Sequence, residues 1–265
     1  MSKKLTQFET NSWDEILKSL KEARSILDLK DDEELWYRGV SSRDHSLLPS
    51  LHRCLKKNQR EAQEIRYLET DLFFEFLAKA RTLGGTSLDH WDVLFLMQHY
   101  RAPTRLLDWT ETFHVALYFA AGHLSPRESK TPRVYIMNPY VWNSRHGRDR
   151  ELVWPRYFTY SRKHDYFYEY GEILIEDRLS WKYPVALYPP HRDARLSAQR
   201  GFFTIHGYDS RPLDHIAPQL IVAIDLGKNA VEEAKEALHY SGTDEFSMFP
   251  DLEGLARHLK TKFEI

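Results

Sequence analysis

Apolar residues in the first hundred positions recur every three or four residues, the spacing of a helix with one buried face. From Asn11 to Leu29 the set is Trp13, Ile16, Leu17, Leu20, Ala23 and Leu27, with Asn11 or Ser12 placed to cap the helix. Gln59 to Leu83 predicts a long amphipathic helix with Ile65, Leu68, Leu72, Phe76 and Leu77 inward, stopped by Gly84-Gly85. Ser87 or Asp89 then starts a shorter helix, Trp91 to Tyr100. Leu47 to Arg53 is a turn running into another helix start, where Pro49 fits the first turn. One stretch has the other period. Leu35 to Val40 reads as a strand with Trp36, Arg38 and Val40 on one face and Leu35 and Tyr37 on the other. Gly39 ends that strand or lets a partner approach its backbone.

Further along, the period changes. Arg133 to Pro139, Gly171 to Ile175, Val185 to Tyr188, Gly201 to Ile205 and Leu220 to Asp225 all predict strands. Val115 to Ala121 predicts a buried helix capped by Asp108 or Thr110, and Ala230 to Tyr240 and Asp251 to Lys260 predict two more. Trp142 to Tyr170, rich in Arg, Tyr and His, reads as long loops or short helices: an aromatic lid on its own domain, or a surface that stacks on nucleobases. With no internal repeat or low-complexity linker, the expectation is one α+β domain over residues 1–265. Its helix-rich N-terminal half packs on a mixed or mostly antiparallel sheet in the C-terminal half, and residues 1–30 form a helical extension.

Composition narrows the class. In 265 residues, 42% hydrophobic content is enough for a sizeable core. A net charge of −2 provides no overall field toward nucleic acid or membrane. The single cysteine, Cys54, excludes an intramolecular disulfide and suits a reducing compartment. MSKKLTQFET has no apolar leader segment, and no window is apolar enough to span a bilayer, so a soluble cytoplasmic protein is expected. The phosphate loop, the dinucleotide fingerprint, the HExxH helix and the GxSxG elbow are all missing, and no metal is expected. His191-Arg192-Asp193 imitates a kinase catalytic loop without the other kinase motifs.

What remains distinctive is arginine. Arg38, Arg43, Arg53, Arg101 and Arg105 sit at element ends, either paired with Asp44, Asp108 and Glu111 or open to phosphate or carboxylate. A pyrophosphate-bearing nucleotide is a natural ligand for such a set. His99-Tyr100 serves either acid/base chemistry or a satisfied, partly buried pair. Tyr118 and Phe119 read as core. Gln199, just before a strand, is able to orient a ribose hydroxyl or an amide but not to act as a general base.

With those residues in view the chain resembles the FRG domain family, named for an aromatic-Arg-Gly motif that is here Tyr37-Arg38-Gly39. Further similar blocks are LLPSLHR at Leu47 to Arg53 and QHYRAPTRLLDWT at Gln98 to Thr110, followed by VALYFA. A Gln-x-Gly-x-Phe-like segment spans Gln199 to Phe203, and FPDLEGLARHL comes near the end. Arg101 stands where family members often have glycine, and Phe113-His114 where they often have a proline-containing pair. Members recur in bacterial and phage-associated genomes, which implies a defence or toxin role. A weaker, fold-level resemblance is to ADP-ribosyltransferases. It implies that Arg38 grips NAD, that Thr104 or Asp108 holds the nicotinamide half, and that Gln199 replaces the usual catalytic glutamate. Catalysis is then weak, absent or dependent on Asp108. On these resemblances the catalytic candidates are Arg38, Asp108 and Gln199. Those for holding the nucleotide are Tyr37, Arg38, Gly39, Arg53, Gln98, His99, Tyr100, Thr104, Arg105 and Trp109. The implied activity is ADP-ribosyl transfer or NAD cleavage, on a protein or nucleic-acid acceptor. The alternative is a non-catalytic sensor that binds nucleotide, nucleic acid or protein.

Overall fold

Seven strands form the central sheet: β1 (Thr6–Thr10), β2 (Trp36–Val40), β3 (Leu106–Thr110), β4 (Arg133–Met137), β7 (Val185–Leu187), β8 (Gly201–Ile205) and β9 (Ile221–Leu226). Their order is β1-β9-β4-β2-β3-β8-β7, and β5 (Tyr160–Ser161) and β6 (Tyr166–Phe167) make a separate two-stranded ladder. The computed structural model describes residues 4–57, 62–84, 89–124, 129–155, 160–161, 166–189 and 194–263. Gln59, Gly85, Ser87, His191-Arg192-Asp193 and parts of the Trp142 to Tyr170 segment lie outside those residues.

The architecture is α+β with a mixed, mostly antiparallel sheet; among its described strands only β1 and β9 pair in parallel. Two expectations are corrected. The sheet is not confined to the second half, since β2 and β3 lie at its centre and β1 forms an edge. Residues 1–30 are not a helical extension either. Thr6 to Thr10 pairs with Val222 to Leu226, and α1 (Trp13–Ile26), capped by the Ser12 hydroxyl, buries Ile16 and Ala23 in the core. TQFET offers one apolar residue among five, too short an alternation to outweigh the helical pattern after it.

Gly171 to Ile175 is also helical. It belongs to α7 (Tyr170–Ile175), where Glu169 and Glu172 form a reciprocal capping box. The three-residue apolar run Ile173 to Ile175 fits a strand or a buried helix equally well, and the cap decides it.

Two groups of helices lie on one face of the sheet. Over β9, β4 and β2 sit α1, α5 (Phe113–Leu117) and α10 (Lys228–Tyr240), around Val134, Ile136, Val222 and Ile224. Over β3, β8 and β7 sit α3 (Ala62–Gly84), α4 (His90–His99) and α7, around Leu106, Val185, Phe203 and Ile205. The opposite face packs Trp36, Leu107, Trp109, Tyr135 and Trp142. Between the two helical groups runs a seam along β2 and β3. There the strands pair only at Tyr37 and Thr110 and then part.

Candidate functional site

Where β2 and β3 part, a cleft of about 440 Å³ opens, a size common for small-ligand sites. Tyr37, Gly39, Asp108 and Thr110 line it from the two strands. Ala116 and Phe119 come from α5 and the π-helical turn that continues it, Tyr118–Gly122. Gln98 and Arg101 come from the end of α4, and Ser50 and Arg53 from α2 (Ser50–Lys57). Arg195 of α8 (Ala194–Ala198), Gln199 after it, and Phe249 after α11 (Glu245–Met248) close the far side.

Alternation puts Arg38 on the side of Trp36 and Val40, but the gap between the strands gives its guanidinium another way out. Nη1 donates to the main-chain carbonyl of Asp108 at 2.7 Å and lies 3.5 Å from the Asp108 carboxylate. Nε is buried without a hydrogen-bond partner among the described residues. Burial pushes this guanidinium down, the Asp108 carboxylate lifts it, and the charge of Arg53 lowers it again. It stays protonated all the same, as arginine does. A half-buried cation beside a second cation is a situation that a bound anion relieves.

Asp108 is held from the other side. The Thr104 hydroxyl accepts from the Leu106 N–H at 3.1 Å, so its own proton goes to the Gln98 carbonyl oxygen. That fixes the Gln98 amide with its NH2 toward Asp108, donating at 2.9 Å to each carboxylate oxygen. Asp108 is therefore not the cap of α5. The cap position is Thr112, whose N–H donates to the Thr110 hydroxyl at 3.0 Å. The Asp108 carboxylate remains 57% exposed and faces the cleft. Opposite, Gln199 donates from Nε2 to the Met248 carbonyl at 2.9 Å, while its own main-chain carbonyl accepts from Thr110 at 2.7 Å.

Charge on the cleft is unequal. Among the lining residues are the guanidiniums of Arg38, Arg53, Arg101 and Arg195, against the single carboxylate of Asp108. Arg53 bonds the Leu48 carbonyl, and Arg195 lies 4.7 Å from the Phe249 ring centre and 3.5 Å from the His99 carbonyl.

Residues 33–129 match the family model of the FRG domain. The matched stretch holds β2, α2, α3, α4, β3 and α5, and with them Tyr37, Arg38, Gly39, Arg53, Gln98, Asp108 and Trp109 of the cleft. Arg195, Gln199 and Phe249 come from beyond it. No curated protein and no solved structure matches the chain.

Within the FRG stretch, four residues put forward for nucleotide binding stand away from the cleft lining. Thr104 is buried behind it and acts through Gln98. The His99 ring packs on Tyr100, and Tyr100, 67% exposed, lines a separate apolar groove between α3 and α4. Arg105 is buried in an ion pair with Glu69, bonded also to Tyr170 and to the carbonyls of His206 and Gly207. The remaining arginines pair differently from the sequence expectation as well: Arg43 approaches Glu9 and Asp225, and Glu111 meets Arg200.

Sequence reasoning missed Arg195, Phe119 and Phe249 as lining residues. The apolar run places Phe119 in the core, whereas the π-helical turn brings it to the cleft lining. The described residues of the aromatic Trp142 to Tyr170 segment do not line the cleft. Trp142 is buried, its indole N–H on the Pro184 carbonyl. The described residues include no group of three or more His, Cys, Asp or Glu side chains able to hold a metal, and no helix long and apolar enough to cross a membrane.

Proposed function

We propose that the cleft binds a phosphate-bearing nucleotide, that this nucleotide is NAD, and that the protein cleaves it or transfers its ADP-ribose. One observation carries the reading: Arg38, Asp108 and Gln199, distant in sequence, line one cleft whose charge is predominantly positive. A phosphate-bearing ligand balances the guanidiniums, and Tyr37 and Phe119 offer aromatic edges to a flat base.

The chemistry then rests on Asp108. When the bond between ribose C1′ and the nicotinamide nitrogen breaks, its electron pair leaves with nicotinamide and positive charge develops on the sugar. A carboxylate held in place by Gln98 opposes that charge without having to reorganise. Water or an acceptor hydroxyl adds at C1′ and loses a proton. Gln199 orients a ribose hydroxyl but supplies no countercharge, so turnover is slow compared with an enzyme that has a glutamate there.

The test is to incubate the purified chain with NAD, with and without protein or nucleic-acid acceptors, and to follow nicotinamide release. Arg38→Ala weakens NAD binding, and Asp108→Asn lowers the rate about a hundredfold or more with binding nearly kept. Folded variants with unchanged rates would remove both residues from the mechanism, and absence of NAD binding by calorimetry would remove the ligand. If the chain consumes NAD as a toxin or defence effector, expression slows growth of the host, and Asp108→Asn relieves it.

A second reading, binding without turnover, draws on a different feature of the same cleft. Both carboxylate oxygens of Asp108 are already occupied by Gln98, an arrangement suited to holding Arg38 rather than to chemistry. It predicts saturable NAD binding with no nicotinamide released.

A further inference from the structure

Among the described residues, four that are not glycine adopt left-handed backbone: Asp28, Arg101, Asp177 and Arg200. Asp tolerates this conformation through its short polar side chain, whereas arginine has no such compensation. Arg101, at φ 61°, is the residue after the cap of α4. Its N–H donates to Gln98 O at 3.0 Å and the next N–H, of Ala102, to Met97 O at 2.9 Å. That pair of bonds is the Schellman helix stop, whose left-handed position belongs by preference to glycine. A residue kept in a conformation that glycine would adopt without strain points to a use for its side chain.

The location of Arg101 supplies the use. Arg101 lines the cleft, and its side chain forms no hydrogen bond or ion pair with the described residues. The other three cleft arginines are already tied to the protein: Arg38 to Asp108, Arg53 to the Leu48 carbonyl, and Arg195 to Phe249 and the His99 carbonyl. Arg101 is exposed at the rim, so it meets the part of a ligand that projects outward.

We propose that Arg101 is the residue by which the cleft selects a diphosphate over a monophosphate. The tethered arginines meet the first phosphate, Arg101 takes up the second, and the strained helix stop is retained for that contact. The inference rests on the anion-binding part of the reading above and not on turnover.

Arg200 provides the control. It is left-handed too, at φ 42°, but it pairs with Glu111 at 3.4 Å and is not among the residues lining the cleft. The full chain and its R101G, R101K and R200G variants are titrated with inorganic phosphate, inorganic pyrophosphate and NAD at fixed salt, alongside thermal unfolding. R101G and R200G each raise Tm by about 2–4 °C through relief of strain. Only R101G loses pyrophosphate affinity, about tenfold, with phosphate affinity changed less than twofold. R101K keeps most of the pyrophosphate affinity. Equal pyrophosphate binding by R101G and the parent chain overturns the proposal, as does an equal loss in R200G or failure of the parent chain to bind pyrophosphate. Pyrophosphate binding that depends on Arg101, without NAD binding, upholds the proposal while rejecting NAD as the ligand.

Discussion

Gly39 shows how much of the cleft depends on a single hydrogen atom. A Cβ at this position would lie 1.7 Å from the carbonyl oxygen of Ala116 and 2.8 Å from the main-chain nitrogen of Ala120. The partner that approaches its backbone is therefore the chain's own helix α5, and Gly39 lies within β2 rather than at its end. Both contacts are main chain, so a rotamer change cannot relieve them. Gly39→Ala is expected to cost about 3 kcal/mol, the upper range for overpacking, because α5 must lift off β2. Urea unfolding measures this directly, and a loss below about 1 kcal/mol would mean that α5 shifts freely. The glycine of the Tyr37-Arg38-Gly39 motif thus secures a wall of the site. The neighbouring arginine supplies its charge.

At the scale of elements, the start of β3 is fastened by a buried ionic cluster. Arg105 Nε donates to Glu69 Oε1 at 2.6 Å, Nη1 donates to the His206 carbonyl at 2.9 Å, and the Tyr170 hydroxyl bonds Glu69. Arg105 and Glu69 are both nearly inaccessible, so α3, α7, β3 and the end of β8 are joined at one point. Glu69→Ala should cost about 3–5 kcal/mol, since it strands a buried guanidinium, and adding Arg105→Met should restore part of that loss. A double variant no more stable than Glu69→Ala would show that the cluster does not behave as a pair. This cluster also explains why Arg105 was misread. Its partner stands 36 positions upstream, on a helix whose charges the apolar period assigned to solvent. What was legible in the sequence was local: the period of α1 and α3, the apolar run of β9, and the block from Gln98 to Thr110. What was not legible was the meeting of that block with Arg195, Gln199 and Phe249, because convergence across a seam leaves no period in the chain. Strand β1 and helix α7 were missed because five or six residues carry too little pattern to separate strand from helix.

For the whole molecule, acid should act on the two helical groups at different pH. His206 is fully buried at the end of β8, its ring 5.3 Å from that of His52 and close to Arg105. Burial, then His52, then Arg105, hold its pKa well below the ordinary 6.5. Above that value neither the folded nor the unfolded chain carries the proton, so stability is unaffected. Below it the unfolded chain takes up a proton that the folded chain refuses, and stability falls by about 1.4 kcal/mol per pH unit. Glu33 responds later. Bonds from Arg150 and Asn138 hold its carboxyl down at about 2, so its contribution is complete above the ordinary 4.5 and is lost as pH falls toward 2. His206 sits with the group of α3, α4 and α7, whereas Glu33 joins the end of α1 to α6 (Pro139–Arg145) through Asn138. Hydrogen exchange between pH 7 and 5 should therefore show protection falling first around β8 and α7, with α1 and β9 unchanged. In His206→Gln that early fall should disappear while the decline below pH 4.5 persists. An identical early fall in the variant would place the sensitive group elsewhere. Because the cleft lies on the seam between the groups, ligand affinity should follow the earlier of the two transitions and weaken before the protein unfolds.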